Sequence, residues 1–475
     1  MSAAISPPRT SAPDVGARVA IAVAADALVP PVPRPVRGPL PMLRLLRQLR
    51  VNALPTWAEP AYELDIVERP FFGRTSFLIN APEGIRRVLV DNAERYGRTP
   101  ATIRILAPMI GDGLFLASGE AWRRQRRLVA PAFAPRALDL LARITDTETA
   151  RAIAELRRRR LGAVDLLGVV QRLALEIAGR TLFSQAMTAH REALREGIAA
   201  YGGRWARPGA LDFFLPDGWP APQDWLRRAG ARTWRRTLAR IIAERSAVPP
   251  SDPPADLFDV LRTAAGAGDA PFTQEQLADQ IATLLLAGHE TTALSLFWSL
   301  HLLAQAPATQ ALVAEEADAA GDGPRSAAET LASRPVALAV VKEALRLYPP
   351  AFTIVRVAVR PDEVMGRPVP AGALMVVAPW VLHRHRRLWA EPAAFDPGRF
   401  LPGAPAVDRF AWLPFGSGPR VCIGAQFALV EATLVLSRLL ASFQIAPVDR
   451  RPVMPVGVVT VYPDRNPAFR LLPRR

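Results

Sequence analysis

Between residues 120 and 348 the chain runs through helix-forming text almost without relief. Leu, Ala, Arg and Glu recur at helical spacing, and the breaks fall at residues 208–222 and 248–255, where Pro, Gly and Asp cluster. Helices in such succession hide their apolar stripes by packing on one another, so a mostly α fold is expected. Strand-like text flanks this block. Residues 62–67 and 76–80 read as two strands of a small sheet, followed by a helix from Pro82, and residues 351–382 return to short β-rich runs around MGRPVPAG. A last long helix is expected over residues 424–442, with a Val- and Pro-rich hairpin-like tail behind it. No internal repeat and no clear linker divides the text. One large domain, mostly α with a minor β-sheet, is therefore expected over residues 41–475, after a Pro-rich, disordered or loosely packed lead-in over residues 1–40.

Composition narrows the function classes. Half of the 475 residues are hydrophobic, enough for a large core, and Cys422 is the only cysteine, so no disulfide framework exists within the chain and a reducing compartment such as the cytoplasm is expected. The net charge of +15 comes almost wholly from arginine, with Lys342 the sole lysine. The runs RRQRR at 123–127 and RRRR at 157–160 have neither zinc-ligand spacing nor a basic–aromatic ribonucleoprotein motif beside them, so they read as solvated helix faces and nucleic acid is not an expected partner. Residues 19–29, VAIAVAADALV, mimic a short signal-peptide core, but Asp26 interrupts them and they fall short of the roughly 20 apolar residues that cross a bilayer. No transmembrane anchor is expected.

Four stretches carry candidate chemistry. The first is the helix before residue 305. Thr273 and Gln276 form a capping box, Phe272 can staple against Leu277, and the core then reads IATLLLAGHETTALSLFW. Gly288 opens space beside the backbone, and a Thr hydroxyl that bonds the carbonyl four residues back is expected to bend or widen the turn, so Glu290 and Thr291 side by side suit a groove for water and a proton relay. Second, VKEALRLYPP at 341–350 sets Glu343 and Arg346 at i, i+3, a spacing that in isolation is common among surface ion pairs. Third, HRHRRLWAEPAAFDPGRF at 383–400 has neither helical nor strand periodicity and reads as a long ordered meander. Fourth, GEAWRRQRRLVAPAF at 119–133 puts Trp122 and Arg126 on one helix face, an indole N–H and a guanidinium suited to a carboxylate. The lone cysteine lies in FGSGPRVCIG at 415–424, framed by glycines and an arginine; on base rates alone such a cysteine is a packing residue.

Together and in this order, from about residue 60 to 470, these stretches resemble the cytochrome P450 family of haem-thiolate monooxygenases. Phe415, Gly418, Arg420, Cys422 and Gly424 fall on the family's FxxGxRxCxG pattern, and the AGHETT turn, the ExxR pair and the WxxxR pair match as well. The meander departs from the usual Pro-Glu-Arg-Phe at Pro397-Gly398-Arg399-Phe400, which keeps the arginine. The resemblance implies haem b held between the long central helix and the helix after the cysteine loop. Cys422 would be the thiolate ligand of its iron, shielded by Phe415, with Gly418 and Gly424 where backbone turns sharply or nears the macrocycle. Trp122, Arg126, Arg356 and Arg420 would serve the propionates, and Glu343, Arg346 and Arg399 would form a structural triad. Glu290 and Thr291 would be the acid–alcohol pair that supplies protons during hydroxylation or epoxidation with O2. That pair argues against a peroxide-driven relative or a non-enzymatic haem carrier, and the glycine–arginine frame of Cys422 argues against a cysteine hydrolase. By position, residues 103–110, 285–287, 351–355 and 457–459 would line the substrate pocket, and their apolar character suggests a terpenoid or fatty-acyl substrate. No flavin or iron–sulfur domain is expected beyond the last hairpin, so NAD(P)H electrons are expected through a separate ferredoxin-like donor that docks on the basic face around Cys422. The protein is expected to be a monomer.

Overall fold

The computed structural model describes residues 15–38, 40–158, 162–184, 189–215, 219–251, 254–266, 272–321, 326–449 and 451–474. Nine of its helices are labelled in chain order: Val15–Asp26 (α1), Pro100–Ile110 (α2), Gly119–Val129 (α3), Pro135–Arg158 (α4), Leu166–Phe183 (α5), Gln274–Gln305 (α6), Pro307–Ala320 (α7), Pro335–Leu347 (α8) and Ala425–Ser442 (α9). The axis of the molecule is α6. It starts where its capping box places it: the Thr273 hydroxyl accepts from Gln276 N–H at 3.1 Å, and Gln276 Oε1 accepts from Thr273 N–H at 3.2 Å. Phe272 and Leu277 are both buried in one apolar cluster, as a hydrophobic staple requires. From Thr292 to Ala304 every residue is buried, so other elements cover every face of this half of α6. It packs on α5, α8 and α9. α9 is long and apolar enough to cross a membrane by length and composition, yet 61% of it is buried inside the protein, as befits a core helix.

The main sheet has five strands in the order β1–β2–β5–β4–β3, formed by Ile66–Phe71 (β1), Arg74–Ile79 (β2), Tyr96–Gly97 (β3), Ile354–Ala358 (β4) and Leu374–Val377 (β5). The β2–β5 pair is parallel and the others are antiparallel. β1 lies four residues further on than expected over 62–67. A 3₁₀ turn takes residues 59–62, and the hairpin closes at Phe72 and Gly73, whose φ values of +49° and +76° make a tight two-residue turn. Pro70 hid the strand in the sequence, but β1 is an edge strand and tolerates it. Four further strands close the chain: Phe443–Pro447 (β6), Pro455–Gly457 (β7), Val461–Pro463 (β8) and Ala468–Pro473 (β9), with β6 pairing β9 and β7 pairing β8.

The lead-in is a correction. Residues 15–26 form α1, which lies on α7 with Val19 fully buried. Asp26, which looked like an interruption of an apolar run, caps α7 from outside: its carboxylate accepts Ala308 N–H at 3.0 Å, Thr309 N–H at 2.9 Å and the Thr309 hydroxyl at 2.7 Å. Leu28 O then accepts from Phe395 N–H at 2.9 Å. The apolar stripe of α1 is therefore a packing surface, and the expected loose segment from 15 onward is part of the folded body.

Candidate active site

The cysteine loop is fixed by its own backbone. Gly418 has φ +72°, and a Cβ there would sit 1.9 Å from Leu89 O, so only glycine fits. The N–H of Cys422 donates to Phe415 O at 2.9 Å and closes the loop. Gly424 has φ −91°, and a Cβ there would meet only the Phe133 ring at 3.6 Å, so the sharp turn falls at Gly418. The Cys422 side chain is exposed, yet surrounding protein pushes its thiol up; the Gly424 N–H and the charge of Arg126 pull the other way. Phe415 packs edge-on against Trp412, 6.2 Å between ring centres.

Arginines converge beside this loop. Arg420 donates to Ala117 O at 2.7 Å and lies over the Trp122 ring at 4.7 Å, which ties α3 to the cysteine loop. Arg356, on β4, is held near about 10 by burial and by the charge of Arg420. Arg98, just after β3, is held well below the usual arginine range by burial and by Arg356 and Arg420 together. Like charges gathered in a buried place call for an anion. Among the described residues Arg98 Nε and Arg420 Nη1 are buried donors without an acceptor. Arg98 was missed in the sequence, where YGRTP gives it no motif; only its place after β3 reveals it.

On α6 the structure divides the acid from the alcohol. The Thr291 hydroxyl donates to Ala287 O at 2.6 Å, the i→i−4 bond expected of it, and the helix runs on unbroken. A Cβ at Gly288 would meet nothing within 4 Å, and Ala287 and Gly288 are exposed. Glu290 turns to the β7–β8 hairpin, where its Oε1 accepts the Tyr462 hydroxyl at 2.6 Å and the Thr460 hydroxyl at 3.3 Å. Burial pushes this carboxyl up, against the pull of the two donors. His289 is buried, its Nε2 facing Gln171 O at 3.0 Å, and burial lowers it to about 4, so it stays neutral. Phe352 and Gly457 touch, a Cβ at Gly457 lying 3.3 Å from the Phe352 ring, and Ile354 lies 3.7 Å from the corresponding point at Gly416. Segment 351–355 thus links the hairpin to the cysteine loop.

The Glu343–Arg346 pair is wholly buried, unlike the surface pair its spacing first suggests. Arg346 bonds both Glu343 oxygens at 2.7 Å and donates to His383 O, Pro392 O and Ala394 O at 2.7–2.8 Å. Arg399 stands 3.7 Å from Glu343 and donates to Glu391 O at 3.0 Å, so the meander is clamped to α8 despite Gly398.

The family model for cytochrome P450 matches residues 29–464. The chain belongs to the cytochrome P450 family. It is 33% identical over 403 residues to the cyclooctatin synthase of Streptomyces melanosporofaciens (82% of this chain, 85% of that protein) and 31% identical over 401 residues to the pentalenene oxygenase of Streptomyces avermitilis (83% and 87%). A cyclooctat-9-en-7-ol 5-monooxygenase of S. melanosporofaciens is 32% identical over 396 residues (81% and 83%). As a cytochrome P450 the chain is a haem monooxygenase. Its residues fit the group. Two propionates would answer the unpartnered donors of Arg98 and Arg420 and the charge of Arg356, and the exposed Cys422 sulfur beside the Gly424 N–H suits an iron thiolate.

Proposed function

We propose that this cytochrome P450 oxidises a cyclic terpenoid hydrocarbon. The observation that carries the reading is the apolar character of segment 351–355, which touches both the β7–β8 hairpin and the cysteine loop, and of the open surface of α6. Ala287 and Gly288 of α6, Ile354 and Val355, and Val458 and Val459 at the hairpin offer apolar surface, with the hydroxyls of Thr291 and Thr353 as the polar exceptions. The buried Thr353 Oγ1 has no partner among the described residues and is a handle for one oxygen or π-bond of a substrate. An apolar skeleton is held there mainly by its removal from water. The relatives named as pentalenene oxygenase and cyclooctat-9-en-7-ol 5-monooxygenase support the class.

Bound haem supplies the reductive activation of O2 and the transfer of one of its oxygen atoms. The chain supplies the rest. Cys422 would hold the iron, with Phe415 and the Gly418 and Gly424 backbone in its loop, while Trp122, Arg126, Arg356 and Arg420, joined by Arg98, would hold the ring and its carboxylates. Thr291 holds its hydroxyl on Ala287 O, next to the open helix surface at Gly288, and Glu290, turned to the hairpin, is the acid of the pair. Two protons and two electrons balance the insertion of one oxygen atom and the release of the other as water. NAD(P)H electrons arrive through a separate ferredoxin-like protein, with a monomeric enzyme working in the cytoplasm. A spectral-shift titration of the purified holoenzyme against cyclic terpene hydrocarbons and fatty acids of matched carbon number tests the substrate class. Low-spin to high-spin shifts are expected with the terpenes at micromolar concentration; shifts confined to the fatty acids would overturn it.

A further inference from the structure

The hairpin that receives Glu290 is anchored independently of it. Trp298, two turns along α6 from Glu290, donates its indole N–H to Val461 O at 2.9 Å and is itself stacked on Tyr348 with ring centres 3.9 Å apart. On the far side Gly457 N–H donates to Asn52 Oδ1 at 3.0 Å, Ala53 N–H donates to Gly457 O at 2.7 Å, and Val456 pairs with Tyr462 across the ladder. The position of Tyr462 is therefore set by β8 and its anchors, and Glu290 is the partner that adapts. The Gln171 side chain on α5 also bonds Tyr462, on the residue whose backbone carbonyl faces His289. Glu290 Oε2 makes no hydrogen bond among the described residues. One carboxylate oxygen is thus tied to the hairpin by two hydroxyl donors, and the other is left to exchange a proton.

We propose that Tyr462 is the positioning residue of the proton relay: anchored on the hairpin, it fixes the rotamer of Glu290 and holds the negative charge on Oε1 while Oε2 takes up and releases the proton. The inference rests on the reading of Glu290 as the relay acid. Thr460 assists from the turn just before that strand, and its longer bond gives it the smaller share. The arrangement makes the C-terminal hairpin part of the catalytic apparatus in addition to a substrate wall. A carboxylate freed from a 2.6 Å donor in a buried place loses much of its support, so the protonated form gains at neutral pH.

The test uses the holoenzyme at fixed neutral pH with four variants, Tyr462→Phe, Thr460→Val, Glu290→Gln and Thr291→Ala, each checked for an unchanged Soret spectrum. The first readout is the infrared C=O stretch of the protonated carboxyl assigned by its loss in Glu290→Gln. The second is the solvent deuterium isotope effect on NADPH oxidation driven by a surrogate ferredoxin and its reductase without substrate. Tyr462→Phe is expected to intensify and shift the carboxyl band and to raise the isotope effect at least twofold, with Thr460→Val moving both in the same direction by less. An unmoved band in Tyr462→Phe and in Thr460→Val overturns the positioning role. A normal isotope effect in Glu290→Gln with a moved band in Tyr462→Phe overturns the relay reading alone and leaves Tyr462 as the residue that sets Glu290. If Tyr462→Phe loses haem, Thr460→Val still decides, since an unmoved band there contradicts a hairpin that controls the carboxyl.

Discussion

Arg346 commits all five of its N–H groups inside the chain, two to Glu343 and three to carbonyls of the meander, whereas Arg98, Arg356 and Arg420 crowd one another beside the cysteine loop with no carboxylate among their bonds. Both groups are buried guanidinium sites, and they differ in where the counter-charge comes from. The first is finished by the polypeptide and clamps the fold. We propose that the second is finished by a bound anion, because buried donors of Arg98 and Arg420 are left without an acceptor among the described residues. The same distinction separates a structural arginine from a cofactor-binding one wherever the donors can be followed to their acceptors.

Breaking the finished site has the largest expected effect. Arg346→Leu strands Glu343 in the core, and urea denaturation of the holoenzyme should show a loss of about 3–5 kcal/mol or no soluble holoprotein at all. A loss below about 1 kcal/mol would reduce the pair to the worth of a surface ion pair. The unfinished site should respond differently. Arg98→Leu removes one of three crowding charges, so polypeptide stability holds, while transfer of haem to apomyoglobin accelerates roughly 10- to 100-fold, the value of one charge-assisted hydrogen bond. An unchanged transfer rate would remove Arg98 from the cofactor site.

Glu431, on α9, sharpens the comparison from the other side, because it is a buried carboxyl whose Oε1 has no partner, and which pairs with no arginine, among the described residues. Burial pushes it up to about 8 from an ordinary 4.5. A raised carboxyl holds its proton more tightly when folded, so it is neutral to stability below pH 4.5 and increasingly costly as pH rises toward 8. Glu431→Gln should therefore be more stable than wild type by about 1–3 kcal/mol at pH 7, with a difference that shrinks toward pH 4.5. A difference that does not change with pH would contradict the charge as its cause.

Much of this was readable in advance where partners are close in sequence or where geometry demands one residue. The capping box of α6, the Thr291 hydroxyl bonding four residues back, and Gly418 against Leu89 O are of that kind. What the text hid depends on distant partners. Asp26 looks like a flaw in an apolar run until α7 arrives 282 residues later. Glu290 and Tyr462 stand 172 residues apart, and nothing in VTVYP marks Tyr462 as the partner of a helix acid. Glu343 and Arg346 were visible as a pair, but their burial depended on the meander folding over them. The edge position of β1, which tolerates Pro70, exists only once the sheet order is fixed.

The account rests on Cys422 as the thiolate ligand of haem, and one spectrum tests it most directly. The purified protein is reduced with dithionite, exposed to carbon monoxide, and its difference spectrum recorded beside that of Cys422→Ser. Wild type should show the red-shifted Soret band of a thiolate-ligated haem, and the variant should lose that band. A wild-type spectrum without it, or a variant that retains it, would contradict the assignment.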